Sequence, residues 1–353
     1  MQNVGSKTQN VLSAIKKLLP LISIIPPFLI LYYLYPASFE ATWKGRTYYL
    51  FFLWLVSLET ILNWEKLSSI NWRLRSKKTI AIAIICILPT VYLVASEHFS
   101  LDQIIISGTT KTVDDLATTL KTKPTYWAGQ MPLSIEYLVF VILFSLLVSL
   151  VHGISNMRQY SISILFLGLI GMIYMTDNLY PYGKFAPFQI IVPTTATLTV
   201  NVLNLIGQSV VWLGESGGMP VIMPVDATGK PLTPPFSVAW PCAGIDSLLI
   251  YSVTILLFLK ESMIPLKHRI VYFTFGAIIT YFINILRIVT IFLIAIKPGG
   301  YTPEVAAEVA RFHDYYGMLY SMTWIISYPL IIIGSQTLWK KLNKKHTTAS
   351  YRA

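Results

Sequence analysis

Eight apolar runs, most of them close to 20 residues long, alternate with polar segments along the chain. A helix needs about 20 mostly apolar residues to cross the hydrocarbon core of a bilayer. Only 12% of the residues are charged, whereas soluble domains carry about 25%. The chain is therefore predicted to be an all-α polytopic membrane protein, a single integral membrane domain over 1–353, with about eight transmembrane helices at residues 18–36, 47–63, 79–97, 134–152, 160–176, 243–260, 270–296 and 316–338.

The distribution of basic residues predicts the orientation of the chain. Lysine and arginine cluster near the N-terminus, in the 64–78 and 260–269 loops and in a basic 339–353 tail. Basic residues beside membrane spans mark the cytoplasmic side, so both termini are predicted to be cytoplasmic and the number of crossings to be even. Because the net charge of +11 follows these loops rather than one face, no nucleic-acid partner is expected.

Residues 188–213 form the ambiguous apolar segment, because a ninth span would place the termini on opposite sides. Threonine, asparagine and glutamine are too frequent in it for a lipid-facing helix, while Leu198, Val202 and Leu205 recur at helical spacing. We predict an amphipathic helix on the outer leaflet. The alternative is a true span that lines a cavity.

Two further segments are predicted to lie outside the membrane. The segment Met219–Trp240 is predicted to form a short extracytoplasmic β-hairpin, because the turn-forming residues Asp226–Gly229 separate two β-prone runs. Residues 98–133 are predicted to form an outer loop, in which the paired acids Asp114 and Asp115 are interpreted as solvated residues.

Charged residues inside a bilayer core are rare, so each one marks a candidate functional position. Arg287 is the clearest case, because no charged residue lies within nine positions of it on either side. Glu59 and Glu136 lie near the ends of predicted spans and are interpreted as interfacial.

Helix length places a cysteine and Arg287 at the same depth. Cys242 is 18 residues from the inner-boundary Lys260, and Arg287 is 18 residues from the inner-boundary Arg269. At 1.5 Å per residue, both lie about 27 Å from the cytoplasmic edge of a core about 30 Å thick. The thiol and the guanidinium are therefore predicted to meet near the outer boundary.

Elimination among the five histidines identifies one that is predicted to lie at the same depth. Three of the five histidines lie on the inner side, and His98 adjoins a loop without another candidate group. His313 follows a predicted helix that Thr302 caps and in which Pro303 takes the first position. That helix is predicted to begin outside and to run into the last span.

The surroundings of Cys242 are typical of a reactive thiol. It stands in Trp-Pro-Cys-Ala-Gly at the predicted start of a long helix, where free N–H groups and the helix dipole favour a thiolate. Gly244 is predicted to let a substrate backbone approach. With His313 moving protons and Arg287 stabilising negative charge, Cys242 is a candidate nucleophile. The alternative is a buried structural thiol.

Three short motifs resemble those of a known family when taken in order on the last three predicted spans. They are Cys-x-Gly, Asn-x-x-Arg and His-x-x-x-Gly, at Cys242 and Gly244, Asn284 and Arg287, and His313 and Gly317. This order is similar to that of the exosortase/archaeosortase family, multi-pass membrane cysteine proteases and presumed transpeptidases. The resemblance covers about 160–338, which would be the catalytic core, after less specific N-terminal spans in 1–152.

The resemblance implies a role for each of these residues. Cys242 would be the nucleophile, His313 the acid and base, and Arg287 the group that stabilises the oxyanion or the substrate carbonyl. Asn284 lies three residues before Arg287 and would orient it. Asp246, four residues after Cys242, is expected to pair with Arg287; the alternative is a packing role with a protonated carboxyl.

The implied activity is that of a cysteine-type peptidase or transpeptidase in the cell membrane, acting at the outer leaflet. Its substrates would be secreted surface proteins with a C-terminal sorting signal made of a short motif, one transmembrane helix and a basic tail. Cleavage would give an acyl-enzyme, followed by transfer to a lipid or other acceptor, or by hydrolysis. No cofactor or metal is expected. The archaeosortase side of the family is preferred, because the chain lacks an extra soluble domain that some bacterial members carry.

Two other classes of function remain open from the residues alone. A lipid-linked glycosyl- or phosphotransferase would use outer acids, for which Asp114 and Asp115 are the only paired candidates. A transporter or channel would also bury Arg287, near helices broken at prolines such as Pro26, Pro27, Pro89 and Pro329.

Overall fold

The computed structural model describes residues 2–40, 44–67, 77–119, 126–180, 190–216 and 219–350. The chain divides into two compact units, residues 1–185 and 186–353, and each is described by itself. The prediction of a single membrane domain stays a prediction. All residues of the predicted catalytic set lie in the second unit.

The first unit is helical throughout its described part. Its α-helices are α1 (Gln2–Leu34), α2 (Pro36–Glu40), α3 (Thr47–Leu62), α4 (Lys77–His98), α5 (Leu101–Thr119), α6 (Met131–His152) and α7 (Ser161–Leu179). Short 3-10 helices at Tyr126–Gln130 and Ile154–Tyr160 precede α6 and α7.

The second unit combines helices with a small sheet. Its elements are α8 (Val192–Leu205), β1 (Ser209–Ser216), β2 (Met219–Val225), β3 (Phe236–Ser237), a 3-10 turn (Pro241–Ala243), α9 (Ile245–Glu261), α10 (Leu266–Ala295), α11 (Pro303–Arg311), a π-helical turn (Phe312–Tyr316) and α12 (Gly317–Ser350).

The prediction of an all-α polytopic membrane protein is confirmed. Six helices of the described residues are long and apolar enough to cross a membrane: Ser13–Leu34, Lys77–His98, Ala128–His152, Ile154–Leu179, Leu266–Ala295 and Pro303–Gln336. The other two predicted runs form α3 and α9, which have 16 and 17 residues. These two helices are only about 24 to 26 Å long.

The prolines that a transporter would use as helix breaks do not interrupt helices. Pro26 and Pro27 lie inside α1, Pro89 lies inside α4, and Pro329 lies inside α12. Broken helices are the feature that presents backbone groups to a transported ion or solute. The helix breaks that would favour a transporter are therefore absent at these four prolines.

The ambiguous segment 188–213 is a helix only in part. α8 has 14 residues, about 21 Å, which is too short for a core about 30 Å thick. Thr195 and Thr199 are fully buried, whereas Leu198 and Leu205 are 37% and 86% exposed. The prediction of a helix through residue 213 is wrong, because the β-branched residues from 209 onward pair in strand β1; residues 188–189 lie outside the described part.

The predicted hairpin is part of a three-stranded antiparallel sheet with the order β1-β2-β3. Strands β2 and β3 pair across the predicted turn, with Val221 opposite Ser237. Asp226 forms that turn, since its Oδ1 accepts hydrogen bonds from the backbone N–H groups of Thr228 and Lys230 at 2.8 and 2.9 Å. Together with the Thr228 hydroxyl, these donors lower the pKa of Asp226.

The segment 98–133, predicted to be an outer loop, is mostly helical in its described part, and its location outside the membrane stays a prediction. α5 covers Leu101–Thr119, and its Thr109, Val113 and Ala117 are buried at a four-residue spacing. This narrow buried stripe includes a threonine, which hides the helical period in the sequence. Asp114 and Asp115 are exposed on this helix rather than in a loop.

Glu59 and Glu136 are buried in the first unit, which corrects their interpretation as interfacial. Glu59 is fully buried and accepts hydrogen bonds from the backbone N–H groups at the start of α7, including Ser163 N at 3.0 Å. Glu136 accepts two hydrogen bonds from Arg46, at 2.9 and 2.7 Å. Both carboxylates therefore join helices together.

A second buried ion pair lies in the same unit. Lys44 Nζ is 2.7 Å from Asp177 Oδ2, and the two side chains are only 4% and 8% exposed. Burial lowers the pKa of Lys44, while the Asp177 carboxylate acts in the opposite direction. Removing one partner of an ion pair this deeply buried strongly destabilises the folded protein.

Candidate active site

Cys242 lies in a short 3-10 turn rather than in a long helix. Pro241 begins this turn, and Gly244 follows it with φ +96°, in the left-handed region that favours glycine. α9 begins only at Ile245. The prediction that Cys242 starts the long helix is therefore wrong, because Gly244 breaks the helical path. Because the helix does not begin at Cys242, the four-residue spacing between Cys242 and Asp246 does not correspond to one helical turn.

Asn284 holds the turn that carries Cys242. From α10, Asn284 Nδ2 donates a hydrogen bond to the Cys242 carbonyl oxygen at 2.9 Å. A Cβ at position 244 would lie 2.9 Å from the same nitrogen. Gly244 therefore makes room for Asn284, which corrects the expectation that this space admits a substrate backbone. Asn284 thus holds the turn that carries Cys242, and it also lies three residues from Arg287 on the same helix α10.

Helix α8 supports the turn from another side. The Thr195 hydroxyl lies 2.7 Å from the Tyr281 hydroxyl and 3.4 Å from the carbonyl oxygen of Ala243. Thr195 is fully buried. Thr195, one of the threonines that made this segment unusual in the sequence, thus contacts the residue next to Cys242.

Arg287 extends from α10 to the residues around His313. Its Nη2 donates a hydrogen bond to the His313 carbonyl oxygen at 2.8 Å. Gly317 lies directly beside it, because a Cβ there would be 2.5 Å from Arg287 Nε. Arg287 Nε and Asn284 Oδ1 are buried and have no hydrogen-bond partner within the part of the chain that the structure describes. Arg287 Nε can therefore donate, and Asn284 Oδ1 can accept, one further hydrogen bond within the site.

Asp246 belongs to the charged surroundings of Arg287. The Cys242 thiol and the carboxylates of Asp246 and Asp314 all interact electrostatically with the guanidinium. These two carboxylates and a thiolate offset the burial of a positive charge. Direct pairing between Asp246 and Arg287 stays a prediction.

His313 lies on an interruption of the last helix. Thr302 caps α11, as predicted, since its Oγ1 accepts a hydrogen bond from Val305 N at 3.4 Å and Pro303 takes the first position. The π-helical turn Phe312–Tyr316 then replaces an ordinary α-helical turn. Such turns often occur at functional sites. Here the turn presents the His313 ring to Cys242.

The two ring nitrogens of His313 face different groups. Nε2 is 3.7 Å from Cys242 Sγ, and Nδ1 is 2.9 Å from Asp314 Oδ1. The structure therefore brings Cys242, His313 and Arg287 together, as the spacing predicted. Asp314 was missed, although it directly follows His313, because consecutive residues on a regular α-helix point in different directions.

An open cavity begins beside the π-helical turn. Its volume is about 710 Å³, and the lining is mainly aromatic and apolar, with Phe312, Tyr316, Tyr320 and Trp324 as its largest side chains. Two hydroxyl-bearing residues of α12, Thr323 and Ser327, also line it. The cavity can accept an apolar segment beside the π-helical turn that carries His313.

The arrangement has the parts needed for nucleophilic catalysis. A thiol faces an imidazole, the other imidazole nitrogen faces a carboxylate, and a guanidinium contacts the histidine backbone. A nucleophile within reach of a base, itself oriented by a third group, is the general form of such sites.

Comparison with known proteins shows the family to which the chain belongs. The family model described as transmembrane exosortase matches residues 43–328, a range that includes Cys242, Arg287 and His313. No curated protein and no solved structure matches the chain, and the preference for archaeosortase-like members stays a prediction. Because the match covers well over half of the sequence, the chain belongs to the transmembrane exosortase family.

Proposed function

We propose that the protein is a membrane-embedded cysteine protease and transpeptidase that cleaves the C-terminal sorting signal of secreted surface proteins. The observation that carries the proposal is the 3.7 Å separation between Cys242 Sγ and His313 Nε2. Membership of the transmembrane exosortase family supports the same chemistry. A structural thiol would have no need of an imidazole and a guanidinium beside it.

The proposed reaction follows from the two partners of the thiol. His313 accepts the Cys242 proton, and the thiolate attacks the carbonyl carbon of the scissile peptide bond. Arg287 stabilises the negative charge on the resulting oxyanion. His313 then donates the proton to the leaving amine, and an acyl thioester remains on Cys242. An amine-bearing lipid or water attacks the thioester and regenerates the thiol.

The substrate class is supported by the apolar cavity beside His313. A sorting signal contains a transmembrane helix next to its cleaved motif, so part of that helix must lie against the enzyme when the peptide bond reaches Cys242. The cavity adjoins the π-helical turn and is lined by aromatic side chains such as Tyr316 and Tyr320. Within the bilayer, a helix is held against such a surface by van der Waals packing and by hydrogen bonds to hydroxyl groups, which Thr323 and Ser327 provide in this lining.

Replacement of Cys242 by serine tests the proposal. Proteins that end in an apolar helix and a basic tail should accumulate uncleaved in cells that carry Cys242→Ser. The control is Cys86→Ser, because Cys86 lies on α4 in the first unit. The proposal fails when Cys242→Ser cells process these proteins as wild type does.

The orientation of the chain is tested separately. We propose cytoplasmic termini and an active site on the outer side, following the basic loops. In a background with both Cys86→Ser and Cys242→Ser, which removes both native thiols, Ala227→Cys in the exposed turn after β2 should react with an impermeant maleimide on intact cells. Lys267→Cys, at the start of α10, should react only after lysis. The reverse pattern would overturn the orientation.

A further inference from the structure

Asp314 is placed to control the protonation of His313. Its Oδ1 lies 2.9 Å from His313 Nδ1, while the opposite ring nitrogen faces Cys242 Sγ at 3.7 Å. A neutral imidazole has one N–H donor and one acceptor nitrogen. When Nδ1–H donates to Asp314, Nε2 is left as the acceptor for the proton of the thiol.

Of the other charges around His313, some favour and some disfavour the protonated ring. Arg287 approaches from α10, and its positive charge disfavours an imidazolium, whereas a Cys242 thiolate favours one. Asp246 on α9 acts on the same Arg287. Asp314 adds a carboxylate at the nitrogen that faces away from the thiol, which offsets the effect of the guanidinium on the ring.

The π-helical turn explains how two consecutive residues make this contact. The turn spans Phe312–Tyr316, so both His313 and Asp314 lie within its irregular backbone. The two side chains are 44% and 62% exposed, and water weakens the interaction of exposed charges. The effect of Asp314 is therefore expected to be moderate rather than absolute.

We infer that Asp314 is a positioning residue that holds His313 in the tautomer that accepts a proton from Cys242 and that stabilises the imidazolium formed. The inference rests on the proposed function of Cys242 and His313. It adds a third member to the nucleophile and base, acting through the histidine without contact to the substrate.

The test measures the reactivity of Cys242 with iodoacetamide and needs no substrate. Full-length protein with Cys86→Ser leaves Cys242 as its single thiol, and the alkylation rate is followed from about pH 5 to 9. The variants are Asp314→Asn, Asp314→Glu and His313→Ala. The control is Glu304→Gln, which removes an exposed carboxylate from neighbouring α11.

Asp314→Asn should slow alkylation at pH 7 about threefold to tenfold, the size expected for one ordinary hydrogen bond, because solvent exposure weakens this charge-assisted one. Its pH profile should move to higher pH, since the thiolate–imidazolium pair loses a stabilising charge. An amide can also donate to Nδ1 and hold the proton on the wrong nitrogen. Asp314→Glu should recover part of the rate, and Glu304→Gln should match wild type.

Two outcomes would contradict different parts of the account. If Asp314→Asn keeps the wild-type rate and pH profile while His313→Ala is slow, the role of Asp314 is overturned and the Cys242–His313 pair stands. If His313→Ala also reacts as wild type does, then His313 does not activate the thiol and the proposed function fails with it.

Discussion

Gly317→Ala is expected to disable the site by moving Arg287. The added Cβ would lie 2.5 Å from Arg287 Nε and 3.0 Å from its Cγ and Cδ, whereas ordinary contacts begin near 3.4 Å. These atoms lie in the middle of the side chain, so the whole guanidinium must shift by about 1 Å. The shift would break the 2.8 Å hydrogen bond to the His313 carbonyl oxygen. A misplacement of that size near reacting groups reduces the rate about 10²-fold.

The effect on stability should be much smaller than the effect on activity. Crowding a packed position destabilises a protein by about 1–3 kcal/mol, while replacing glycine by alanine within a helix gains about 0.5–1 kcal/mol. The free energy of unfolding should therefore fall by about 2.5 kcal/mol at most. Gly334→Ala is the matched control, because it lies on the same helix α12 with no atom within 4 Å of the added Cβ.

The assay compares the two alanine variants in substrate processing and in thermal unfolding in detergent. Gly334→Ala should process substrate at the wild-type rate with equal or higher stability. Gly317→Ala should remain folded and process substrate about 10²-fold more slowly. Wild-type processing by a folded Gly317→Ala protein would show that the position of Arg287 does not matter, and would refute the reasoning.

Three further changes probe Arg287, the cysteine turn and the buried charges. Arg287→Lys keeps a positive charge but loses the planar fork, so turnover should fall about 10²-fold or more, with normal amounts of folded protein in the membrane. Gly244→Ala should lower the unfolding temperature more than Gly229→Ala, because both have positive φ but only position 244 also crowds Asn284. Lys44→Met should cost about 3–5 kcal/mol in the free energy of unfolding, because it removes the positive charge that faces the buried Asp177 carboxylate at 2.7 Å. Lys297→Met, in an ion pair whose lysine is 44% exposed, should cost about 1 kcal/mol or less, as denaturant titration can measure.

The level at which the site residues meet could be predicted from the sequence. Counting residues from the basic inner boundary placed Cys242 and Arg287 at one depth, and the structure joins Asn284 of the same helix to the Cys242 carbonyl. The capped helix that begins at Thr302 led to His313, which contacts the thiol. These inferences worked because long apolar helices have a fixed rise per residue.

The local backbone of the site could not be predicted in this way. The left-handed Gly244 and the π-helical turn around His313 are departures from regular helix, and a count based on helical rise assumes that none occur. Asp314 was missed for the same reason, since its contact with His313 depends on that irregular turn. The candidate catalytic residues Cys242 and His313 therefore lie where the periodic argument stops applying.

The errors in the first unit have a different cause. Glu59 contacts Ser163, and Glu136 contacts Arg46, across 104 and 90 positions of sequence. A single sequence shows that such a carboxylate lies near the end of an apolar run but does not show its partner. Burial of these charges depends on tertiary pairing, which no local pattern records.

The central claim is that Cys242 forms a covalent acyl intermediate with its substrate. Purified protein would be incubated with a membrane protein of the same cell that ends in an apolar helix and a basic tail, quenched in acid and analysed by mass spectrometry. We predict that the peptide containing Cys242 carries the substrate's newly formed C-terminus as a thioester, which hydroxylamine removes and which Cys242→Ala lacks. A substrate that is cleaved at the wild-type rate by Cys242→Ala, with no adduct on Cys242 in wild type, would contradict the account.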